Sequence, residues 1–218
     1  MHSISKLHPD LLQILTEFSD WFYETRDFEK LENDIIPNNQ LVKLQGKNAT
    51  GDEYLKNALS TPAKYGYPRL LWGQDISKHN RSGRQKVQDR EIIDRVDATN
   101  SKLLNFFGAR HNALLMFYPA GGYIGWHNNC NAPGYNIVLT CNPGGKGYFA
   151  HYDHINDKMN IFPDASGWNC KVGYFGSEKE NDKIYWHCAY TDTPRLTFSY
   201  IIYDKNIWDD MVDDIDVG

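Results

Sequence analysis

Apolar residues follow two different periods along this chain. From residue 8 to 36, Leu11, Leu12, Ile14, Leu15, Phe18, Trp21, Phe22 and Phe28 recur at the spacing of one helix face. That pattern predicts a helix, closed by Pro37-Asn38-Asn39. A second helix is predicted from about Gln88 to Phe107, with Ile92, Ile93, Val96, Leu103, Leu104 and Phe107 on one side. Between them, residues 40–86 carry turn signals at Gly46, Gly51, Pro62, Gly66, Pro68 and Gly73 and read as irregular. At Asn112 the texture changes to short β-type runs broken by Gly, Pro and Asn. The runs are Ala113–Tyr118, Tyr123–His127, Tyr135–Cys141, Gly147–Tyr152, Met159–Phe162, Cys170–Phe175, Ile184–His187 and Arg195–Tyr203. After Trp208 the chain is acidic (Asp209, Asp210, Asp213, Asp214, Asp216) and reads as a frayed tail.

Eight short strands are the number a jelly roll needs. Helices first and strands second predict an α+β protein with a double-stranded β-helix (jelly roll, cupin-like) core over 112–203. The helical and irregular part, 1–111, is expected on one outer face of the sheets, and 204–218 forms the tail. A length of 218 residues suits one domain. There is no internal repeat and no low-complexity tract.

Composition narrows the function classes. Hydrophobic residues make up 41% of the chain, enough for a sizeable core, and aromatics reach 14%, which favours β structure. The formal net charge of -5 argues against a whole-protein electrostatic grip on nucleic acid. Lys78, Arg81, Arg84 and Lys86 form a local basic loop, but Asp75, Asp89 and Glu91 dilute it, and it reads as solvated. Cys130, Cys141, Cys170 and Cys188 are far apart with no CxxC pair, which points to reduced thiols. No apolar run has the length of a signal peptide or a membrane span, so the expectation is a soluble cytoplasmic protein with no membrane partner.

The histidines carry the candidate chemistry. His127 ends one strand and His187 ends another, 187 − 127 = 60 residues on. Arg195 follows, then Thr197 and Ser199 in an alternating strand. Iron oxygenases need cis ligands on one face of the metal, with open positions opposite. Two neutral imidazoles on neighbouring strands supply two such ligands. A dicarboxylate cosubstrate needs a cation deeper in the barrel. Arg195 suits that task, because its fork binds a carboxylate through two hydrogen bonds and stays charged when buried. Thr197, two residues on, shares its face of the strand and can add a hydroxyl.

These residues bring a resemblance with them. Phe117-Tyr-Pro-Ala-Gly-Gly-Tyr-Ile-Gly-Trp-His127 resembles the entry to the iron site of the 2-oxoglutarate/Fe(II)-dependent oxygenase superfamily, in its prolyl-4-hydroxylase-like branch. His187 followed by Arg195-Leu196-Thr197 resembles the distal His and Arg-x-Ser/Thr of that pattern, and Gly144-Gly145-Lys146-Gly147-Tyr148-Phe149 resembles the glycine-containing strand between them. The resemblance spans about residues 112–203. It implies that His127 and His187 bind Fe(II), and that Arg195 anchors the C5 carboxylate of 2-oxoglutarate with Thr197 and Tyr118 assisting. Asn136 is a further candidate to face the cosubstrate. The implied reaction is oxidative decarboxylation of 2-oxoglutarate to succinate, coupled to hydroxylation or oxidation of a second substrate, with ascorbate as an accessory reductant.

The departure lies at position 129. The family pattern is His-x-Asp/Glu, and this chain has His127-Asn128-Asn129. An amide is neutral and a weaker ligand for a hard cation than a carboxylate. Three readings stay open: Asn129 binds through its carbonyl oxygen, a carboxylate such as Asp153 completes the site, or the protein is a catalytically silent jelly-roll binding module. Asn129 also fits a turn before Asn131-Ala132-Pro133-Gly134. His151-Tyr152-Asp153-His154 invites a zinc reading, but the tight ligand pairs of structural zinc sites are missing. The acidic balance points to a protein side chain or a small molecule as substrate before nucleic acid.

Overall fold

The structure, a computed structural model, describes residues 1–28, 31, 39–78 and 86–218. Two antiparallel sheets face one another. The strands are β1 (His2–Ser3), β2 (Leu71–Trp72), β3 (Gln74–Asp75), β4 (Asn112–Tyr118), β5 (Tyr123–His127), β6 (Gly134–Cys141), β7 (Gly147–Asp153), β8 (Lys158–Pro163), β9 (Trp168–Phe175), β10 (Trp186–Thr191) and β11 (Arg195–Ile202). One sheet has the order β1-β9-β6-β11-β4-β3, the other β2-β5-β10-β7-β8. The helices are α1 (Pro9–Thr25), α2 (Asn39–Ala49), α3 (Asp52–Ser60), α4 (Arg90–Phe107) and α5 (Lys205–Ile215).

The six-stranded sheet shows why it sits where it does. Along β11, Leu196, Phe198, Tyr200 and Ile202 belong to the main apolar core with Leu11, Leu15, Phe18 and Phe22 of α1 and Ile92, Val96, Leu103 and Phe107 of α4. Alternation turns Arg195, Thr197, Ser199 and Ile201 to the opposite face, toward the other sheet. α4 is well bounded. Asp89 accepts hydrogen bonds from the Glu91 and Ile92 amides at its start, and Gly108 closes it at φ 59°. Arg26, at the end of α1, ties the two helices by pairing with Asp89 at 2.8 Å and Glu91 at 2.7 Å.

The strand-rich half matches the eight expected runs closely, with β10 beginning two residues later than the Ile184–His187 run and continuing to Thr191. Three two-residue strands, β1, β2 and β3, extend the sheet edges.

Other expectations are corrected. Residues 40–65, expected to be irregular, are largely helical, since α2, α3 and a 3₁₀ turn (Pro62–Tyr65) lie there. Gly46 looked like a breaker, but a Cβ there would meet Tyr123 Cδ1 at 2.7 Å. The glycine lets α2 lie close on β5, a packing need rather than a turn. Helices therefore cover both sheets, with α2 and α3 over the five-stranded one, not one outer face alone. The acidic tail is not frayed: α5 is capped by Asp204 and buries Met211 and Ile215 in the core. The first helix ends at Thr25, and the expected stop at Pro37-Asn38 lies outside the described residues, as do Arg81 and Arg84 of the basic loop. Lys78 of that loop pairs with Asp97 at 2.8 Å. Among the described residues, no helix is long and apolar enough to cross a membrane.

This arrangement predicts a sharp contrast in stability. Phe198 is fully buried and its ring lies 5.5 Å from Phe18 and 5.6 Å from Trp168. Phe198→Ala is expected to cost about 3–5 kcal/mol. Ile161→Ala, on the exposed face of β8, should change stability by less than about 0.5 kcal/mol. Urea unfolding of both variants checks this, and equal losses would contradict the layer assignment.

Candidate active site

Between the two sheets lies a cavity of about 330 Å³. The five-stranded sheet and the loop after it supply His127, Asn129 and His187. The six-stranded sheet supplies Tyr118, Asn136, Arg195 and Thr197. Seven residues singled out from the sequence therefore line one cavity, and Asp153 is not among them.

His127 and His187 are directly opposed in the β5–β10 pair, with ring centroids 4.0 Å apart. The pairing shifts register between His187 and Ala189, so β5 bulges just before His127. Each ring is oriented by its own backbone. His127 Nδ1 lies 2.8 Å from Gly125 O, and His187 Nδ1 lies 2.8 Å from Tyr185 O. A carbonyl can only accept, so Nδ1 carries the proton in each neutral ring and Nε2 presents its lone pair. This is the orienting bond that metal-ligating histidines characteristically make. Burial pushes His187 down to about 4, so the neutral form prevails near pH 7. Phe175 and Phe149 pack against its ring at 4.6 and 5.6 Å.

Asn129 adopts φ 52°, the left-handed region that Asn tolerates better than most residues. Its turn role and its site role coincide, because the amide lies 3.5 Å from His187 Nε2. A half-turn of the amide exchanges its nitrogen and oxygen, so Oδ1 reaches the same place. A divalent cation thus fits the donor set of two Nε2 atoms and one amide oxygen.

Asp153 is elsewhere. Its carboxylate accepts from the Ile155 and Asn156 amides and from Asn156 Nδ2, holding the β7–β8 turn. The zinc reading also disperses. His151 stacks on Tyr185 at 3.8 Å, and His154 bonds Asn181 O. Among the described residues, no three His, Cys, Asp or Glu side chains converge on a metal position. The four cysteines are buried and unpaired with one another.

At the other end of the cavity Arg195 is 2% exposed. Its Nε lies 3.2 Å from Asp164 Oδ2, within ion-pair distance though not aligned as a hydrogen bond. One Nη donates to Thr140 Oγ1 at 3.4 Å, and the Tyr118 ring lies 6.0 Å away. Among the described residues, no group pairs with the buried Thr197 Oγ1. Such a hydroxyl can donate to or accept from a ligand group or an ordered water. Asn136 is turned aside, donating to Gly134 O. Sequence reading missed Asp164 and Lys171, both buried and electrostatically coupled to Arg195. The available signal for Lys171 was a lysine between Cys170 and Val172 in an otherwise apolar run.

No protein-family model and no curated protein matches the chain. Among solved structures, it is similar to a Pseudomonas putida prolyl-4-hydroxylase, at 13% identity and TM-score 0.32, over 50% of this chain and 58% of that one. It is also similar to OsALKBH1, at 9% identity and TM-score 0.29, over 69% of this chain and 91% of that one. The chain thus spans less than two thirds of the length of the first of these.

Two predictions follow from the cavity's polar groups. In the metal-free protein, His187 is held at about 4, below its ordinary value of about 6.5. Between those values the unfolded chain binds the proton and the folded chain does not. Its contribution is therefore complete above about pH 6.5 and is lost as pH falls toward 4, at up to about 1.4 kcal/mol per pH unit. Urea unfolding across that range should show a shallower pH dependence in His187→Gln than in the parent; identical slopes would contradict this. Separately, Thr197→Val removes an unpaired buried hydroxyl and should raise ligand-free stability by about 1 kcal/mol while weakening binding of a carboxylate ligand. A thermal melt with and without N-oxalylglycine and Mn(II) tests both halves, and a destabilised Thr197→Val protein would show the hydroxyl to be serving the fold.

Proposed function

We propose that the chain is a non-haem Fe(II) oxygenase that couples oxidative decarboxylation of 2-oxoglutarate to oxidation of a second substrate. The observation that carries this reading is the pairing of His127 with His187, each ring fixed through Nδ1 to a backbone carbonyl, with the Asn129 amide 3.5 Å from His187 Nε2. The strand order supports a jelly-roll reading of a single-domain core. β4-β11-β6-β9 faces β5-β10-β7-β8, and consecutive strands from β4 to β7 alternate between the sheets.

In this reading His127, His187 and Asn129 hold the Fe(II), and Arg195 with Thr197 holds the distal carboxylate of 2-oxoglutarate. The metal, when bound, supplies the activation of O₂. The chain's own residues set the conditions. Gly125 O and Tyr185 O keep both imidazoles in the ligating tautomer. Phe149, Phe175 and Ile124 make the walls between the two ends apolar and limit water. Asp164 keeps the Arg195 guanidinium oriented. The mouth, with Tyr67, His111 and Tyr203, is where a second substrate enters. A protein side chain or a small molecule is the favoured substrate class.

A second reading has its own support: the donor set contains no carboxylate, which suits a binding module that has lost iron. One experiment separates the two. Purified protein with Fe(II), ascorbate and 2-oxoglutarate should release succinate, and His187→Ala and Arg195→Met should each abolish this. Asn129→Asp should bind Mn(II) more tightly than the parent without 2-oxoglutarate, because it supplies the missing negative charge at nearly the same volume. No succinate, together with no stabilisation by Mn(II) plus 2-oxoglutarate, favours the silent module. Succinate production unaffected by His187→Ala rejects the residue assignment.

A further inference from the structure

Between His127 and Asn129 stands a residue for which the reading above has no use. Asn128 is fully buried. Its Oδ1 accepts from the Cys130 amide at 3.1 Å, the two-residue reach by which an Asn side chain closes a turn on its own backbone. Its Nδ2 is also buried, and among the described residues nothing accepts from it. A buried donor left unpaired costs free energy, and a side chain without one would avoid that cost. The residue enclosed by this turn is Asn129, whose backbone stands at φ 52°.

The same turn is fastened by segments distant in the chain. The Asn128 amide donates to Tyr65 O at 2.9 Å, and the Glu178 amide donates to Cys130 O at 3.2 Å. On the near side the Ala132 amide donates to Asn129 O at 2.8 Å. The loop that carries Glu178 is itself fixed. There the Glu180 carboxylate accepts from the Ser177 amide at 3.0 Å, the Ser177 hydroxyl at 2.9 Å and the Tyr174 hydroxyl at 2.8 Å, and pairs with Lys183 at 3.0 Å. Left-handed backbone outside glycine persists where the surroundings over-determine it, and such positions cluster at functional sites. Here the result is an Asn129 amide placed 3.5 Å from His187 Nε2.

We propose that Asn128 is a positioning residue of the metal site: its side chain closes the turn that holds Asn129 in the left-handed conformation and aims the Asn129 amide at the histidine pair. The proposal rests on the reading of the cavity given above. An amide oxygen is a weaker donor to a divalent cation than a carboxylate. A donor already held in place loses less freedom when it binds, which offsets part of that weakness. Asn128 does not line the cavity, so it acts through Asn129.

Calorimetric titration of Mn(II) into the full chain, with 2-oxoglutarate present, tests this in a double-mutant cycle of Asn128→Leu and Asn129→Ala. Leu is close to Asn in size and has no acceptor for the Cys130 amide. Asn128→Leu alone should weaken Mn(II) binding about tenfold or more. In the Asn129→Ala background the same change should cost no further affinity, because no amide is left to place. Asn128→Ser, which keeps a weaker acceptor for Cys130, should fall between the parent and Asn128→Leu. Unchanged Mn(II) binding by Asn128→Leu overturns the proposal. An equal loss with and without the Asn129 amide assigns Asn128 to the fold and also overturns it. If Asn128→Leu does not fold, Asn128→Ser decides: weaker binding than the parent beside Asn129, and no difference in the Asn129→Ala background, upholds the proposal, and any other result overturns it. A parent that binds no Mn(II) removes the reading of the cavity, and this inference with it. A parent that binds Mn(II) without coupling between positions 128 and 129 overturns this inference alone.

Discussion

Polar and charged groups can be buried between two sheets only if something else holds the sheets together. Here the six-stranded sheet turns its continuous apolar face outward, onto α1, α4 and α5, and keeps Arg195, Thr197, Asn136, Thr140 and Lys171 on its inner face. The largest apolar cluster thus lies beside the sheet rather than inside the sandwich. That displacement frees the interior for ligand chemistry. It also explains why three helices are committed to one sheet: without them β11 would expose Leu196, Phe198 and Tyr200 and have no reason to turn Arg195 inward.

The strand-rich half was legible in the sequence because its signal is local. Alternation within β11 and the placement of His127 at the end of β5 are visible over a few residues, whereas His187, expected to end a strand, lies near the start of β10. What was not legible depended on partners distant in the chain. Gly46 reads as a breaker until Tyr123 and Tyr190 are brought against it. The last helix was hidden by its aspartates, although Trp208, Met211, Val212 and Ile215 keep helical spacing. Lys171 and Asp164 look like surface charges one at a time. Only the sheet register turns the first inward, and only the turn after β8 brings the second to Arg195.

Position 129 shows how one residue can satisfy two constraints. The backbone there sits at φ 52°, which costs a β-branched or bulky residue more than it costs Asn or Asp. The same residue must project toward His187 Nε2. Asp would meet both demands as well as Asn does, so conformation alone does not select the amide. What separates them is charge. A carboxylate at 129 would face the His187 ring, which burial keeps neutral. The amide avoids a buried charge there, and under the proposed function its penalty would be a weaker hold on the metal.

The two ends of the cavity are therefore complementary in charge to one kind of ligand. At the histidine end the donor set holds no carboxylate, so under the proposed function a divalent metal there would keep its full positive charge and favour an anionic chelate. At the arginine end the buried Arg195 lies beside Asp164, and among the described residues the Thr197 hydroxyl has no partner. The walls between are apolar, lined by Ile124, Phe149 and Phe175. A monocarboxylate can satisfy only one end and leaves the other charged in a low-dielectric interior, where Coulomb energies are several times those in water. A dianion with its carboxylates separated by a short hydrocarbon chain satisfies both at once, with the metal charge and the buried cation each met by one carboxylate. Loss of the usual carboxylate ligand then need not mean loss of metal binding. Under the proposed function it would shift metal binding onto the cosubstrate, so that metal and dicarboxylate would each raise the affinity for the other by the same factor.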